Sequence, residues 1–274
     1  MKMNKIKIIF FIIFLSFPYF LLSETLNYVF KEGVPVSYKF KIAGDISFGY
    51  NQTEKNNFKV LATGNIDIKT IKTNNSYTLE IIPRKTLIKV NDMVIEDITK
   101  NETEISNVVS TSRVEMQKNG KIIKTEEIEP NIINIGNFLS LLPVFPEGKM
   151  YKGRTWQQKI SSFEIPGFLK MCNLDFKYFI SDIKEERYTI KLISNNSIID
   201  EKEVDKDITI EFKGTNNSNG NFVFNGNKGK LEKFNGNFKL NLKLFFLLPG
   251  TPGENTTNQS LPMDLKINLS ISLE

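Results

Sequence analysis

Histidine is missing from all 274 residues. That removes Ser-His-Asp and Cys-His catalysis and the commonest zinc ligand. The one thiol, Cys172 in Met171-Cys172-Asn173-Leu174, has no intramolecular partner and reads as a small buried hydrophobe. Paired carboxylates remain a route to glycosidase chemistry. Glu164 and Asp175 are candidates, but nothing around them sets them apart from acids on solvated strand faces. The run Asn216-Asn217-Ser218-Asn219-Gly220 has the look of a calcium loop. With Gly220 as the sixth position, Gly226 falls at the twelfth, where a bidentate glutamate is required. It reads as a turn. No phosphate loop, nucleophile elbow or dinucleotide fingerprint occurs. The expectation is a protein that is not an enzyme, with no catalytic residue, metal or cofactor. What remains is Trp156, the only tryptophan. It is a candidate ligand-binding residue, because an indole stacks on sugars and lipids. The stronger reading is a core anchor beside Pro143 and Pro146.

Lys2, Lys5 and Lys7 precede an almost unbroken apolar run from Ile8 to Leu22, and Ser23 offers a cleavage position. This is the pattern of a secretory signal peptide over residues 1–23. The apolar run, broken by Pro18, is short of the roughly 20 residues that a membrane-spanning helix needs. Membrane association is expected only through this segment before cleavage, and N-terminal sequencing of the mature protein should begin after it. Removing it takes away three lysines and no acids. The net charge of +5 therefore owes much to the signal. Lysine outnumbers arginine 32 to 4, whereas nucleic-acid recognition favours the guanidinium fork. Nucleic acid is excluded as a partner. The Lys, Asn and Ile excess fits an AT-rich bacterial genome, and the periplasm, outer envelope or exterior is the expected location. The Asn-x-Thr matches at Asn51, Asn101 and Asn255 are expected by chance in so asparagine-rich a chain.

The elements that would position any site read as β-strands. Val36, Tyr38, Phe40 and Ile42 alternate with polar residues; so do Phe58 to Ile68, and Tyr77 to Ile81 up to Pro83. Gly64 inside the second run predicts a bulge or bend. A long strand is expected over Ile105–Met116, and Asn119-Gly120 predicts a hairpin. In the second half, Leu174–Ile180, Tyr188–Leu192 and Ile208–Phe212 alternate, with turns at Asn195-Asn196 and Thr215–Gly220. Phe238–Phe246 and Met263–Leu273 alternate strictly and should pair across a polar loop. Ile132, Ile135, Leu139 and Leu142 lie at helical spacing between Pro130 and Pro143, which predicts one short helix over 130–142. The fold class is therefore all-β, mainly antiparallel, with long meandering strands forming curved sheets or a half-barrel. The organisation expected is a signal over 1–23, an N-terminal β half over 24–129, a helix and Pro/Gly junction over 130–156, and a C-terminal β half over 157–274. Phe30-Lys31-Glu32-Gly33 echoes Phe145-Pro146-Glu147-Gly148, and Asn119-Gly120-Lys121-Ile122 echoes Lys228-Gly229-Lys230-Leu231, a hint of duplication.

Pro143, Pro146-Glu147 and Gly153-x-x-Trp156, the strand start at Tyr28–Gly33 and the pattern at Phe222–Leu231 together resemble an uncharacterised family of secreted bacterial β-proteins. Arg154 stands where that family has aspartate. The resemblance implies export and a β fold over roughly Leu26 to the end, and no activity. By looser analogy the makeup is similar to curved sheets of the periplasmic lipoprotein-carrier type. The leading functional expectation is a non-enzymatic envelope protein that holds a lipid or other hydrophobic ligand in a curved-sheet groove. The alternative is a structural or adhesive surface protein without a small-molecule ligand. An outer-membrane barrel would usually end on an aromatic residue, which Leu273-Glu274 does not supply.

Overall fold

The computed structural model describes residues 25–48, 56–100, 104–129, 139–160, 163–165, 169–171, 174–205, 208–247 and 259–273. The expected signal segment lies outside them, as do Cys172, Asn51, Asn101 and Asn255. The first half runs through β1 (Val36–Phe48), β2 (Asn56–Thr73), β3 (Ser76–Val90), β4 (Met93–Asp97), β5 (Thr111–Gln117) and β6 (Ile122–Glu129). The second runs through β7 (Thr155–Ile160), β8 (Phe163–Ile165), β9 (Leu169–Met171), β10 (Leu174–Lys184), β11 (Arg187–Asp205), β12 (Ile208–Asn225), β13 (Lys230–Leu247) and β14 (Gln259–Leu273). Twelve of these form one sheet in the order β6-β5-β3-β2-β1-β14-β13-β12-β11-β10-β7, with β4 attached to β3, while β8 and β9 pair separately. Every pairing is antiparallel, as alternating strands joined by short turns require. The all-β, antiparallel expectation holds.

The final hairpin pairs as expected, from Lys233 opposite Ser272 to Phe246 opposite Gln259. The bulge foreseen at Gly64 appears as a register shift between Thr63 and Asn65. A Cβ there would meet the Arg84 carbonyl and the Phe40 ring at 2.9 Å. Four local expectations fail. Asn195-Asn196 is not a turn but the middle of β11, and Thr215–Gly220 is not a loop but the middle of β12; the two stretches pair residue for residue. Pro83 does not stop β3. It stands opposite Ile66 at a position where β3 has β2 as its only ladder neighbour, so its missing N–H is tolerated. The strand expected over Ile105–Met116 is confined to Thr111–Gln117, preceded by isolated bridge residues at Ile105, paired with Arg84, and at Val109. Of the helix expected over 130–142, residues 130–138 lie outside the described residues, and the described remainder is one 3-10 turn over 139–141.

The sheet is curled rather than flat. β5 and β12 are six strand spacings apart in the sheet order, roughly 29 Å in a flat sheet at about 4.8 Å per strand. Yet adjacent residues reach the turns that follow both. The Tyr28 N–H donates to the Lys118 carbonyl at 2.7 Å, and the Val29 N–H donates to the Gly229 carbonyl at 2.8 Å. The two edges, β6 and β7, do not pair with each other. Residues 139–145 bridge the space between them. The Phe145 N–H donates to the Asn119 carbonyl at 2.8 Å, in the β5–β6 turn, and the Val144 N–H donates to Gln158 Oε1 on β7 at 2.9 Å. The Gln158 amide donates back to the Ser140 and Leu142 carbonyls, and the Tyr178 hydroxyl donates to the Leu141 carbonyl. Residues 25–34 and 139–154 thus seal one end of the curled sheet, here called the near end. The strands run from it toward the far end, where β1 leads to β2 and β13 to β14.

Candidate functional site

The near end is filled by aromatic rings. Phe145, Tyr178, Phe222 and Phe224 are wholly buried, and Tyr28, Phe176 and Phe234 nearly so. Tyr28 lies 5.4 Å from Phe145 and 5.1 Å from Phe224, and Phe222 stacks on Phe234 at 4.2 Å. Such pairs add to the area buried by each ring. Burial pushes the Tyr28, Tyr38 and Tyr178 phenols well above the ordinary value, with the Tyr178 and Tyr38 phenols adding to the effect at Tyr28. All three stay neutral at physiological pH. Tyr28 donates its hydroxyl to the Pro143 carbonyl, and Tyr77 donates its own to the Tyr28 carbonyl. These rings are therefore fixed by polar tips as well as by packing.

Trp156, on edge strand β7, is half-buried. Its ring stacks on Tyr178 at 5.5 Å and tilts against Phe145 at 6.4 Å. Its indole N–H is buried and makes no hydrogen bond. Pro143 and Pro146 belong to the same sealing segment, and Phe145 between them carries the contact. Beside this cluster is a cavity of about 30 Å³, walled by residues that include Phe30, Tyr38, Ile66, Ile68, Leu79 and Met116. It could admit only about one or two waters by volume, and its apolar lining favours staying dry. It falls an order of magnitude short of the ~300–1,000 Å³ of a small-molecule pocket.

The two sequence candidates for carboxylate chemistry lie on strands of different sheets. Asp175 is exposed on β10, opposite Lys159, and its carbonyl accepts the Ser194 hydroxyl. Glu164 belongs to the separate β8–β9 pair, opposite Lys170. Among the described residues no group of three or more Cys, Asp or Glu could hold a metal ion. The Asn216 stretch, read from sequence as a turn, instead places a polar network in the wall. The Asn216 amide donates to Ser194 Oγ at 2.6 Å and to Asn196 Oδ1 at 3.1 Å, and Ser218 donates to Asn216 Oδ1. Asn216 and Ser218 share the inward face with buried Phe222 and Phe224.

One buried carboxylate escaped sequence reasoning. Glu96 accepts from the Thr86 hydroxyl, from the Ser106 hydroxyl at 2.5 Å and from the Asn107 N–H at 2.8 Å. It pins the stretch after β4 onto β3. No motif surrounds it; the only signal was an acid inside an apolar strand, Met93-Val94-Ile95-Glu96. Glu96→Ala should cost about 2 kcal/mol, because it strands buried donors that now share one acceptor. Urea melts of wild type and variant measure this. A cost near zero would mean that the carboxylate pins nothing.

Toward the far end the inward face stays apolar after full burial ends. Ile42 and Ala62 are register partners and both are buried. The next partners on that face, Gly44 with Val60 and Ile46 with Phe58, are half-buried. In the backbone register Leu242 stands opposite Met263 and Leu244 opposite Leu261. Among the described residues, this stretch of the inward face continues apolar beyond the near-end rings. Comparison of the sequence with known protein families and with curated proteins finds no match.

Proposed function

We propose that this protein is a non-enzymatic, exported envelope protein that holds a lipid or similar hydrophobic ligand against the far-end wall of its curled sheet. The observation that carries the reading is the inward face itself. It runs apolar from buried Ile42 and Ala62 to half-buried Ile46, Phe58 and Val60, beyond the reach of the near-end rings. A wall serving only as core would end where its covering side chains end. The near-end cavity is too small to be the site. Export follows from the basic and apolar N-terminus. Trp156 then serves as part of the near-end seal and not as the ligand contact.

The test is native mass spectrometry of protein purified from its own envelope, with organic extraction of whatever it carries. The expected result is an added mass that disappears on extraction. It should also be lost in Val60→Asp, while the melting temperature shows that the fold persists. Wild-type protein of bare polypeptide mass, together with failure to take up a fluorescent fatty acid, would overturn the reading in favour of a structural or adhesive surface protein. Exposed Met93, Val94 and Ile95 on the β3–β4 hairpin would then be its adhesive feature.

A further inference from the structure

The inward wall is not apolar all the way round. One rung of the sheet runs Asn196–Asn216–Leu240–Leu265–Ile46–Phe58, from β11 across to β2, each residue the register partner of the next. The neighbouring rung on the near-end side runs Ser194–Ser218–Phe238–Ile267–Gly44–Val60. Register partners share a face of the sheet, so both rungs lie on the inward face. On the β1–β2 side they carry half-buried Ile46, Phe58 and Val60. On the β11–β12 side they carry two carboxamides and two hydroxyls, and neither rung contains an ionisable residue.

The polar side has a direction. Ser218 donates to Asn216 Oδ1. The wholly buried Asn216 amide spends its two N–H groups on Ser194 Oγ at 2.6 Å and Asn196 Oδ1 at 3.1 Å. Ser194 Oγ lies 2.8 Å from Asn196 Oδ1 and, at 2.6 Å, gives its one proton to the Asp175 carbonyl. Asn196 is thereby fixed with its oxygen toward Asn216 and its amide nitrogen turned away. Among the described residues its two N–H groups meet only the Ser197 carbonyl, at 3.4 Å. Ser194 is buried and Asn196 half-buried, so these donors stand where full burial gives way. Aliphatic side chains would fill a wall that only packs, without the cost of burying carboxamides.

We infer that Asn196 donates to the carbonyl oxygen of a lipid acyl ester whose chain lies along Ile46, Phe58 and Val60. The inference rests on the ligand reading of the far-end wall and names the chemical class of that ligand. The head must be an acceptor, because Asn196 offers N–H groups and its oxygen is already taken. It must be neutral, because neither rung holds a cation to balance a carboxylate or phosphate in an apolar wall. The span also fits. Asn196 and Ile46 are four strand spacings apart, roughly 19 Å along the sheet at about 4.8 Å per strand and less across the curl. An acyl chain reaches roughly 15 Å, half of a bilayer's hydrocarbon core.

Displacement of a fluorescent fatty acid by 1-palmitoylglycerol, by its ether analogue 1-hexadecylglycerol and by palmitate provides the test. The two glycerolipids share chain length and head and differ by the ester carbonyl. The ester should displace the probe at about three- to tenfold lower concentration than the ether, the effect of about one hydrogen bond. Asn196→Asp keeps an oxygen for Asn216 and deletes the N–H groups. At about pH 8, where aspartate is ionised, it should abolish the preference. Asn195→Asp, one residue away and exposed on the outward face, should keep it. Equal displacement by ester and ether in the wild type, or a preference that survives Asn196→Asp, would overturn the inference and leave the ligand reading standing. Palmitate displacing more strongly than the ester would do the same, by making a carboxylate the head. Wild-type protein that takes up neither the probe nor any of the three lipids would overturn both. The wild-type comparison needs no variant, so it decides the matter even where thermal melts show Asn196→Asp unfolded.

Discussion

Phe145→Ala is expected to destabilise the protein by about 3–5 kcal/mol, the usual cost of deleting a buried phenylalanine. The ring is wholly buried. It lies 4.7 Å from Phe224, 5.4 Å from Tyr28 and 6.4 Å from Trp156, so it joins β12, the first sealing segment and edge strand β7 at one point. Its own N–H is held by the Asn119 carbonyl in the β5–β6 turn. The neighbours cannot collapse into the space it leaves, because Tyr28 and Tyr178 are fixed by hydroxyl bonds to the Pro143 and Leu141 carbonyls. A domain holds only about 5–15 kcal/mol in total, so the loss should be plain in urea melts as a fall in midpoint. A cost below about 1 kcal/mol would mean that residues 139–154 do not seal the near end.

Gly229→Ala is the second large effect, at about 2–4 kcal/mol from backbone strain and overpacking together. Gly229 has φ +60, in the left-handed region. An added Cβ would stand 2.3 Å from Val29 Cγ2 and 2.8 Å from the Asn27 carbonyl. The second contact is backbone and cannot swing away. The same glycine accepts the Val29 N–H, so a shift to relieve the clash also breaks that bond. Gly33→Ala is the control. It has φ +72, but nothing lies within 4 Å of its added Cβ, so it should show the conformational cost alone, about 1–2 kcal/mol. Hydrogen exchange should speed up at Tyr28 and Val29 in the first variant and not in the second. Equal effects in both would place the cost in the turn and not in the docking of the first sealing segment.

The expectations that held rest on residues whose meaning is local. Period-two alternation in Val36–Ile42 and in Tyr188–Leu192 makes one face of each strand apolar wherever the strand is placed. Asn119-Gly120 announces its turn, because Gly120 adopts φ +98. Glu185-Glu186 makes the corresponding turn between β10 and β11 with φ 48 and 59, a conformation that two glutamates do not advertise. The polar runs at Asn195 and Asn216 were misread because single strands of such composition have no apolar face. They become strand only by facing each other, where Asn216, Ser194 and Ser218 satisfy one another in the wall. Pro83 was misread for a related reason: whether a missing N–H matters depends on which side of the strand has a neighbour.

From the sequence alone came the all-β class, the alternating faces, the final hairpin and the exclusion of histidine-based chemistry, since residue type and spacing settle these without reference to distant parts of the chain. The tertiary structure decided the rest. Joining the halves through β1 and β14, curling the sheet until Tyr28 and Val29 touch both hairpin turns, burying Glu96 and setting Asn196 on one rung with Ile46 and Phe58 all depend on pairings between residues far apart in sequence. A strand's pattern specifies which side is apolar. It does not specify the neighbouring strand, because backbone N–H and C=O groups are the same at every residue and the choice among partners is made by packing across the whole sheet.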